Sequence, residues 1–354
     1  MAEGDRRDRD QGTRRPHAYH LQPSLGVDAA RRGSLVLTFD TELIWGSFDH
    51  ATPAEFARSY PEIRETIRAT IRLLERHEIR ATWAVLGHLY LRQCRRDASG
   101  LAHPELVHPG QSRFGRDWYS MDPCTDRDTD PLWYGDDILD ALQAATTSQE
   151  IGCHSFSHAL FDDPAFTAEA ARSDLEACLA LARQRGITLR SFVFPRNHEG
   201  HLALLAEHGF RAFRGADPTW YARIPGPAAR IAHLVDQAAG VRPPVSVPYE
   251  QLPGLWNVPG SMLFMHRSGT RRLVPLASRI RKARLGLNRA IREGRVFHLW
   301  THPFNLASDR EPMLETLDAI LRDAVRLRDD GLLRIESMSA VAERMSGQRE
   351  TTDA

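Results

Sequence analysis

With 354 residues, 42% of them hydrophobic and 26% charged, the chain has an ordinary globular composition and is long enough to bury a core. Its formal net charge is zero, which argues against a general nucleic-acid binder, whose affinity rests on excess positive charge. No apolar run approaches the roughly 18 residues that span a bilayer, and the charged opening MAEGDRRDRDQGTRRPH lacks a secretion signal's apolar core, so a cytoplasmic protein is expected.

Residues 1–32 alternate acids and arginines with little apolar content and predict a disordered leader. The run from Ser34 to Phe39 then predicts a first strand, ending at Asp40. Ser59 and Glu62 fit a capping box for a helix whose apolar face is Ile63, Ile67, Ile71 and Leu74. A second strand is expected over Arg80–Leu86, closed by Gly87. The polar stretch 97–135 reads as a loop insertion whose Trp118, Tyr119, Trp133 and Tyr134 either stack on sugar rings or anchor the loop. A helix near 136–147 leads to a third strand at Glu150–Cys153. A helix over 167–185, a strand at Phe192–Phe194, a helix over 200–208 and a strand at Phe210–Phe213 follow. A late strand covers 295–301, and residues 347–354 read as a tail. Strands alternating with helices predict a single α/β domain over 33–346, either a (β/α) barrel or an open doubly wound sheet. In both, chemistry collects after the C-terminal strand ends.

The polar residues at those positions are the candidates. His154-Ser-Phe-Ser-His158 spaces two histidines four apart, able to face one metal if the segment turns helically. By itself the pattern is weak, since His298 and His302 repeat it; the bland alternative is two surface or capping histidines. Asp40 and Glu42 lie on one side of the first strand's end, suited to one metal ligand and one general base, or to a cap or turn. Arg196 can orient a carboxylate or bind substrate, or be a plain surface arginine. His302 titrates in a range suited to protonating a leaving amine, or is a satisfied histidine at a strand end. Two imidazoles and a carboxylate suit Zn²⁺, with Co²⁺, Mn²⁺ or Fe²⁺ as alternatives. Cys94, Cys124, Cys153 and Cys178 form no CxxC pair and are expected to be free thiols.

Taken together, Thr38-Phe39-Asp40-Thr41-Glu42, Ala81–Gly87, Glu150-Ile-Gly-Cys-His154-Ser-Phe-Ser-His158, the Ser191–Gly200 turn and Leu299–His302 resemble, in order and spacing, the NodB-type polysaccharide deacetylases (carbohydrate esterase family 4) over about residues 34–338. The resemblance implies a distorted (β/α) barrel and hydrolysis of an N-acetyl group on a carbohydrate. It also implies a divalent metal on His154 and His158, with His302 as general acid. Arg196 would partner the catalytic carboxylate, in a turn giving a backbone N–H to the oxyanion. Thr41 stands where the family's first motif carries its second Asp. The Asp-x-Glu pattern of divergent members makes Asp40 the expected third ligand, with Glu42 or Asp40 as base. Pro195 precedes Arg196, where the family's arginine comes first. A weak fourth motif falls at Asp217–Trp220. A nucleotide-linked or lipid-linked sugar is the expected substrate. The basic run Arg271, Arg272, Arg279, Arg281, Lys282 and Arg284 could meet a diphosphate or a membrane surface, or be a solvated helix face. An allantoinase-like hydrolase acting on a cyclic amide or ureide, and an inactive sugar-binding protein, are the competing readings.

Overall fold

A computed structural model of the chain describes residues 32–218, 224, 226, 228, 232, 235–236 and 245–352. All of the expected leader but Arg32, and Trp220 of the fourth motif, lie outside the described residues. Ten strands among the described residues curl into one sheet: β1 Gly33–Thr41, β2 Thr82–Val85, β3 Glu150–Cys153, β4 Ser191–Val193, β5 Ala212–Arg214, β6 Tyr249–Leu252, β7 Leu255–Asn257, β8 Met262–Leu263, β9 Val296–Thr301 and β10 Leu333–Glu336. Their order is β6-β7-β5-β4-β3-β2-β1-β9-β8, with β10 beside the first half of β1. Every pairing is parallel except the β6–β7 hairpin. This is the distorted (β/α) barrel expected from the sequence. Parallel sheets are covered on both faces, which is why all nine residues of β1 are buried.

Among the described residues the helices with full bounds are α1 Pro53–Ser59, α2 Ile63–Arg76, α3 Asp136–Gln143, α4 Ala168–Gln184, α5 Leu202–Glu207, α6 Leu276–Glu293, α7 Pro303–Ala307, α8 Arg310–Asp329 and α9 Met338–Thr352. The face of α2 made by Ile63, Ile67, Ile71 and Leu74 is buried, as its spacing predicts. Its expected capping box is not there. Ser59 closes α1, and Glu62 precedes α2 without a side-chain capping bond. A capping box does exist one helix earlier, where Thr52 and Glu55 exchange bonds ahead of Pro53. The residues expected as a tail, from 347, include the end of α9, which runs on to Thr352.

Two ambiguous segments are resolved by burial. Trp118, Tyr119, Trp133 and Tyr134 are all buried, so they anchor the insertion to the body. Trp118 Nε1, for instance, donates to Ser157 O at 2.8 Å. The basic run is no continuous solvated face: Arg279 and Lys282 are buried, Arg279 on the carbonyls of Met265 and His266 and Lys282 on Asp236. Arg284 is engaged by Asp323 at 2.6 Å. No helix among the described residues is long and apolar enough to cross a membrane.

Candidate metal centre and active site

The parallel sheet delivers its polar residues to one end. Asp40 is the last residue but one of β1 and Glu42 follows the strand; the His154–His158 segment follows β3, the Pro195–Asn197 turn follows β4, Arg214 ends β5, and His302 follows β9. Several of these residues hold backbone conformations that side chains disfavour. Leu43, Ser155, His158, Arg196 and Asn197 all have φ between 48° and 66°. Left-handed geometry costs a non-glycine residue about 1 kcal/mol or more. Its concentration here marks a site whose positions are fixed by the surrounding packing.

Glu42 is the centre. Its Oε2 lies 2.8 Å from His154 Nε2 and 3.0 Å from His158 Nε2, and all three side chains are at most 3% exposed. His154 Nδ1 lies 2.8 Å from Val193 O. A carbonyl only accepts, so Nδ1 carries a proton and Nε2 is the nitrogen turned toward the carboxylate. A cation can replace the protons on the two Nε2 atoms, because the rings are already aimed. For zinc, the N···O separations would open to about 3.3 Å. The donor set therefore fits a divalent ion. Burial pushes Glu42 toward its neutral form. The positive charge on His158 and His302 and the hydrogen bonds from both motif histidines outweigh it, so the carboxyl lies well below the usual range. Burial also holds His158 below its ordinary value. Close quarters keep Glu42 in place, since a Cβ on Gly46 would sit 1.8 Å from Glu42 Oε1.

Asp40 takes a different place from the one expected. Both its oxygens are held by Arg214, Nη1 to Oδ1 and Nη2 to Oδ2, each at 2.6 Å. It is Glu42, not Asp40, that faces the two imidazoles. Burial raises the Asp40 pKa, but Arg214, with smaller help from His302 and His154, brings it below the ordinary carboxylate value. Arg214 is the residue the sequence reading missed. Its guanidinium also reaches Thr38 Oγ1 at 3.1 Å and lies 4.1 Å over the Trp300 ring. Trp300 Nε1 in turn donates to Asp217 at 3.0 and 3.1 Å. The fourth motif's Asp thus does meet a tryptophan, although one from β9. Burial pushes the Asp217 carboxyl up to about 6.

Arg196 does not touch Asp40. It grips Asp49 through both terminal nitrogens, at 2.5 and 2.9 Å, and reaches Gly46 O at 3.2 Å. The Pro195-Arg196 order sends the side chain across the loop after β1. Burial raises the Asp49 pKa, but Arg196, with help from His50, lowers it to about 2. A depressed carboxylate stabilises above its unfolded pKa and loses that contribution as pH falls through its folded value. Arg196→Ala is therefore expected to cost under about 1 kcal/mol at pH 7, after allowing for solvent screening. The difference from wild type in thermal denaturation should shrink as pH falls from about 4 toward 2.

His302 Nε2 lies 3.7 Å from Asp40 Oδ2 and 3.5 Å from Glu42 Oε1, with its side chain 20% exposed. The ring stacks on Phe304, centroids 4.5 Å apart, and Nδ1 has no hydrogen-bond partner. The other late-strand histidine, His298, is wholly buried between Thr38 Oγ1 and Val258 O, and burial takes its pKa down to about 3. It is a structural residue.

The strand ends of the curled β/α sheet thus bring together a buried carboxylate–imidazole trio whose donors could hold a divalent ion, beside an aspartate held by a guanidinium. The chain has the NodB-type fold of polysaccharide deacetylases. It is similar to a Mycobacterium smegmatis protein described as a polysaccharide deacetylase, at 16% identity, 92% coverage of this chain and 94% of that one, with a TM-score of 0.60. The Puue allantoinase has 12% identity, coverage of 94% and 96%, and a TM-score of 0.57. A Pseudomonas aeruginosa PAO1 protein described as a polysaccharide deacetylase has 11% identity, coverage of 88% and 89%, and a TM-score of 0.54. No family model and no curated protein matches the sequence.

Proposed function

We propose that the chain is a metal-dependent hydrolase that removes the N-acetyl group from an amino sugar in a saccharide, nucleotide-sugar or lipid-linked intermediate, releasing acetate. The observation that carries this reading is the pairing of two carboxylates with different partners: Glu42 on two imidazoles, Asp40 on Arg214. Glu42, His154 and His158 would hold the ion, Zn²⁺ or in its place Co²⁺, Mn²⁺ or Fe²⁺. When bound, such an ion supplies Lewis acidity to an amide carbonyl and acidifies water.

The chain's own groups account for the proton movements. Asp40 stays ionised because Arg214 holds it, and it accepts a proton from the attacking water. A carboxylate of lowered pKa is a weak base, so this step requires the water to be acidified. Within the turn after β4, the amides of Asn197 and His198 bond to the carbonyls of Phe194 and Pro195. The Arg196 amide is left as the donor this turn offers to a developing oxyanion, a contribution of about 3 kcal/mol where such donors are well aimed. His302, partly exposed and between the two carboxylates, gives a proton to the departing amine.

The test is to incubate the purified protein with Zn²⁺ or Co²⁺ and a panel of N-acetyl amino sugars, free and nucleotide-linked, and to assay acetate. Equal yields of acetate and free amine, abolished by a chelator, are expected. The allantoinase-like reading is favoured by the similarity to the Puue allantoinase. Ring opening of a cyclic ureide with no acetate from any sugar would establish that reading instead. A sugar-binding protein without activity would bind the panel unchanged and tolerate His154→Ala.

A further inference from the structure

Four more metal-ligating side chains converge away from the Glu42 trio. His88 lies on the 3-10 turn Gly87–Tyr90 after β2; Cys94, His103 and Asp122 come from the long loop beyond it. Their donor atoms all fall within 4.8 Å of one another. Asp122 Oδ2 is 2.9 Å from His88 Nε2 and 2.7 Å from His103 Nε2. Cys94 Sγ lies 3.6 Å from His88 Nε2 and 3.5 Å from Asp122 Oδ2. We propose that His88, Cys94, His103 and Asp122 form a structural zinc site that fastens the insertion to the back of the catalytic end of the sheet.

The donor set is two imidazole nitrogens, one sulfur and one carboxylate oxygen, a full tetrahedral complement with no open position, which is the pattern of structural rather than catalytic zinc. Tetrahedral zinc places sulfur about 3.5–3.6 Å from nitrogen and oxygen ligands, and nitrogen about 3.3 Å from oxygen. The sulfur separations to His88 and Asp122 already have these values; the two N···O contacts must open by about 0.4–0.6 Å.

Surrounding groups orient the ligand atoms, as outer partners of metal sites do, while burial and the Asp122 charge keep Cys94 a thiol until an ion displaces its proton. His88 Nδ1 lies 3.0 Å from Trp133 O, which fixes the proton there and leaves Nε2 facing the cluster. His103 Nδ1 has Glu105 Oε1 at 3.5 Å. Asp122 Oδ1 accepts the Cys124 N–H at 2.9 Å, leaving Oδ2 for the centre. Tyr134 Oη accepts the Thr125 N–H at 2.7 Å, so its own hydrogen is free to point at Cys94 Sγ, 3.2 Å away. Without an ion the thiol donates to Asp122 Oδ2, 3.5 Å away, and a bound metal would take the place of that proton.

The site also meets a structural need. Between Tyr90 and Asp136 the chain has one short 3-10 turn, Trp118–Met121, and two isolated bridges, Gln93 with Asp126 and Arg96 with Ala102, and all four cysteines are free. Loops this long are uncommon without internal structure, and a metal clip offsets their closure entropy. The clip would act on the catalytic end. The Phe156 ring, midway between His154 and His158, packs 5.7 Å from the His88 ring and 5.3 Å from the His103 ring. Trp45, three residues after Glu42, lies 4.6 Å from His88.

Cobalt loading of the full chain tests this independently of the deacetylase reading. The Glu42 trio contains no sulfur, so a near-ultraviolet sulfur-to-cobalt charge-transfer band can come only from the second centre. The expected result is two equivalents of metal with that band present. Cys94→Ser and His103→Ala should each lose the band and one equivalent; His158→Ala should lose the other equivalent and keep the band. Cys124→Ser should keep both. A wild-type cobalt spectrum without the band, or a band that survives Cys94→Ser, overturns the proposal and leaves a plain His–Asp–His hydrogen-bond network. The wild-type spectrum decides even if a variant fails to fold.

Discussion

Glu42→Gln is expected to abolish stoichiometric binding of metal at the Glu42 trio and, with it, acetate release. Losing even an outer partner of a metal ligand lowers affinity by about 10–100-fold, so losing the ligand itself should exceed about 100-fold. Glutamine is nearly isosteric, so the packing against Gly46 and the neighbouring rings is kept while the charge is lost. Burial then favours neutral imidazoles, and the three side chains remain folded together without a carboxylate to compensate a cation. Metal analysis of the gel-filtered variant checks this directly, with the cobalt charge-transfer band reporting any second centre separately. Should the variant keep the full metal content of wild type, Glu42 is not the ligand. The Asp40 assignment drawn from the sequence would then have to be revived against the geometry.

That contrast shows where sequence reasoning carried and where it stopped. Six of the ten strands announce themselves because a parallel sheet buries both faces, which favours short apolar runs. By contrast β6, β7, β8 and β10 are too short or too polar to stand out, as in the half-exposed Tyr249–Leu252 and the Leu333–Glu336 strand. Residues after such runs are cheap to identify, and Asp40, Glu42, His154, His158 and His302 were all found that way. Their division of labour was not legible. Asp40 and Glu42 are two apart on one side of the chain, and only the position of Arg214 separates them: the guanidinium claims Asp40 and leaves Glu42 to the histidines. Arg214 escapes notice in the sequence because the predicted fifth strand ends at Phe213, one residue short of the arginine that closes it. Arg196 drew attention by following a strand, yet its left-handed backbone (φ 52°) accompanies a side chain that runs across to Asp49. The second cluster was invisible for another reason. Its ligands are spread over residues 88–122 in a segment without periodicity, and a search for paired cysteines passes over a site with one sulfur.

Asp40 and Arg214 offer a thermodynamic cycle whose outcome separates base from scaffold. Both side chains are at most 3% exposed, so removing either partner strands the other. Asp40→Asn is expected to destabilise by about 3–5 kcal/mol, because Arg214 keeps its charge while losing its counter-ion. Its turnover should fall about 100- to 10,000-fold, the range for loss of a general base. Arg214→Met alone should cost a similar amount of stability and also lower turnover. A carboxylate freed of Arg214, with burial now unopposed by it, is less ionised and no longer fixed by two parallel bonds. The double variant, with neither charge, should be more stable than either single one and as inactive as Asp40→Asn. The pH dependence carries the same signature. The Asp40 pKa is depressed on folding, so its stabilisation is present above the unfolded value and is lost as pH falls through the folded one. Wild type should show that acid-side loss in denaturant titrations, and the double variant should lack this contribution to it. If Arg214→Met instead leaves turnover and its pH profile unchanged, the guanidinium is only structural, and Asp40 is not the base that it positions.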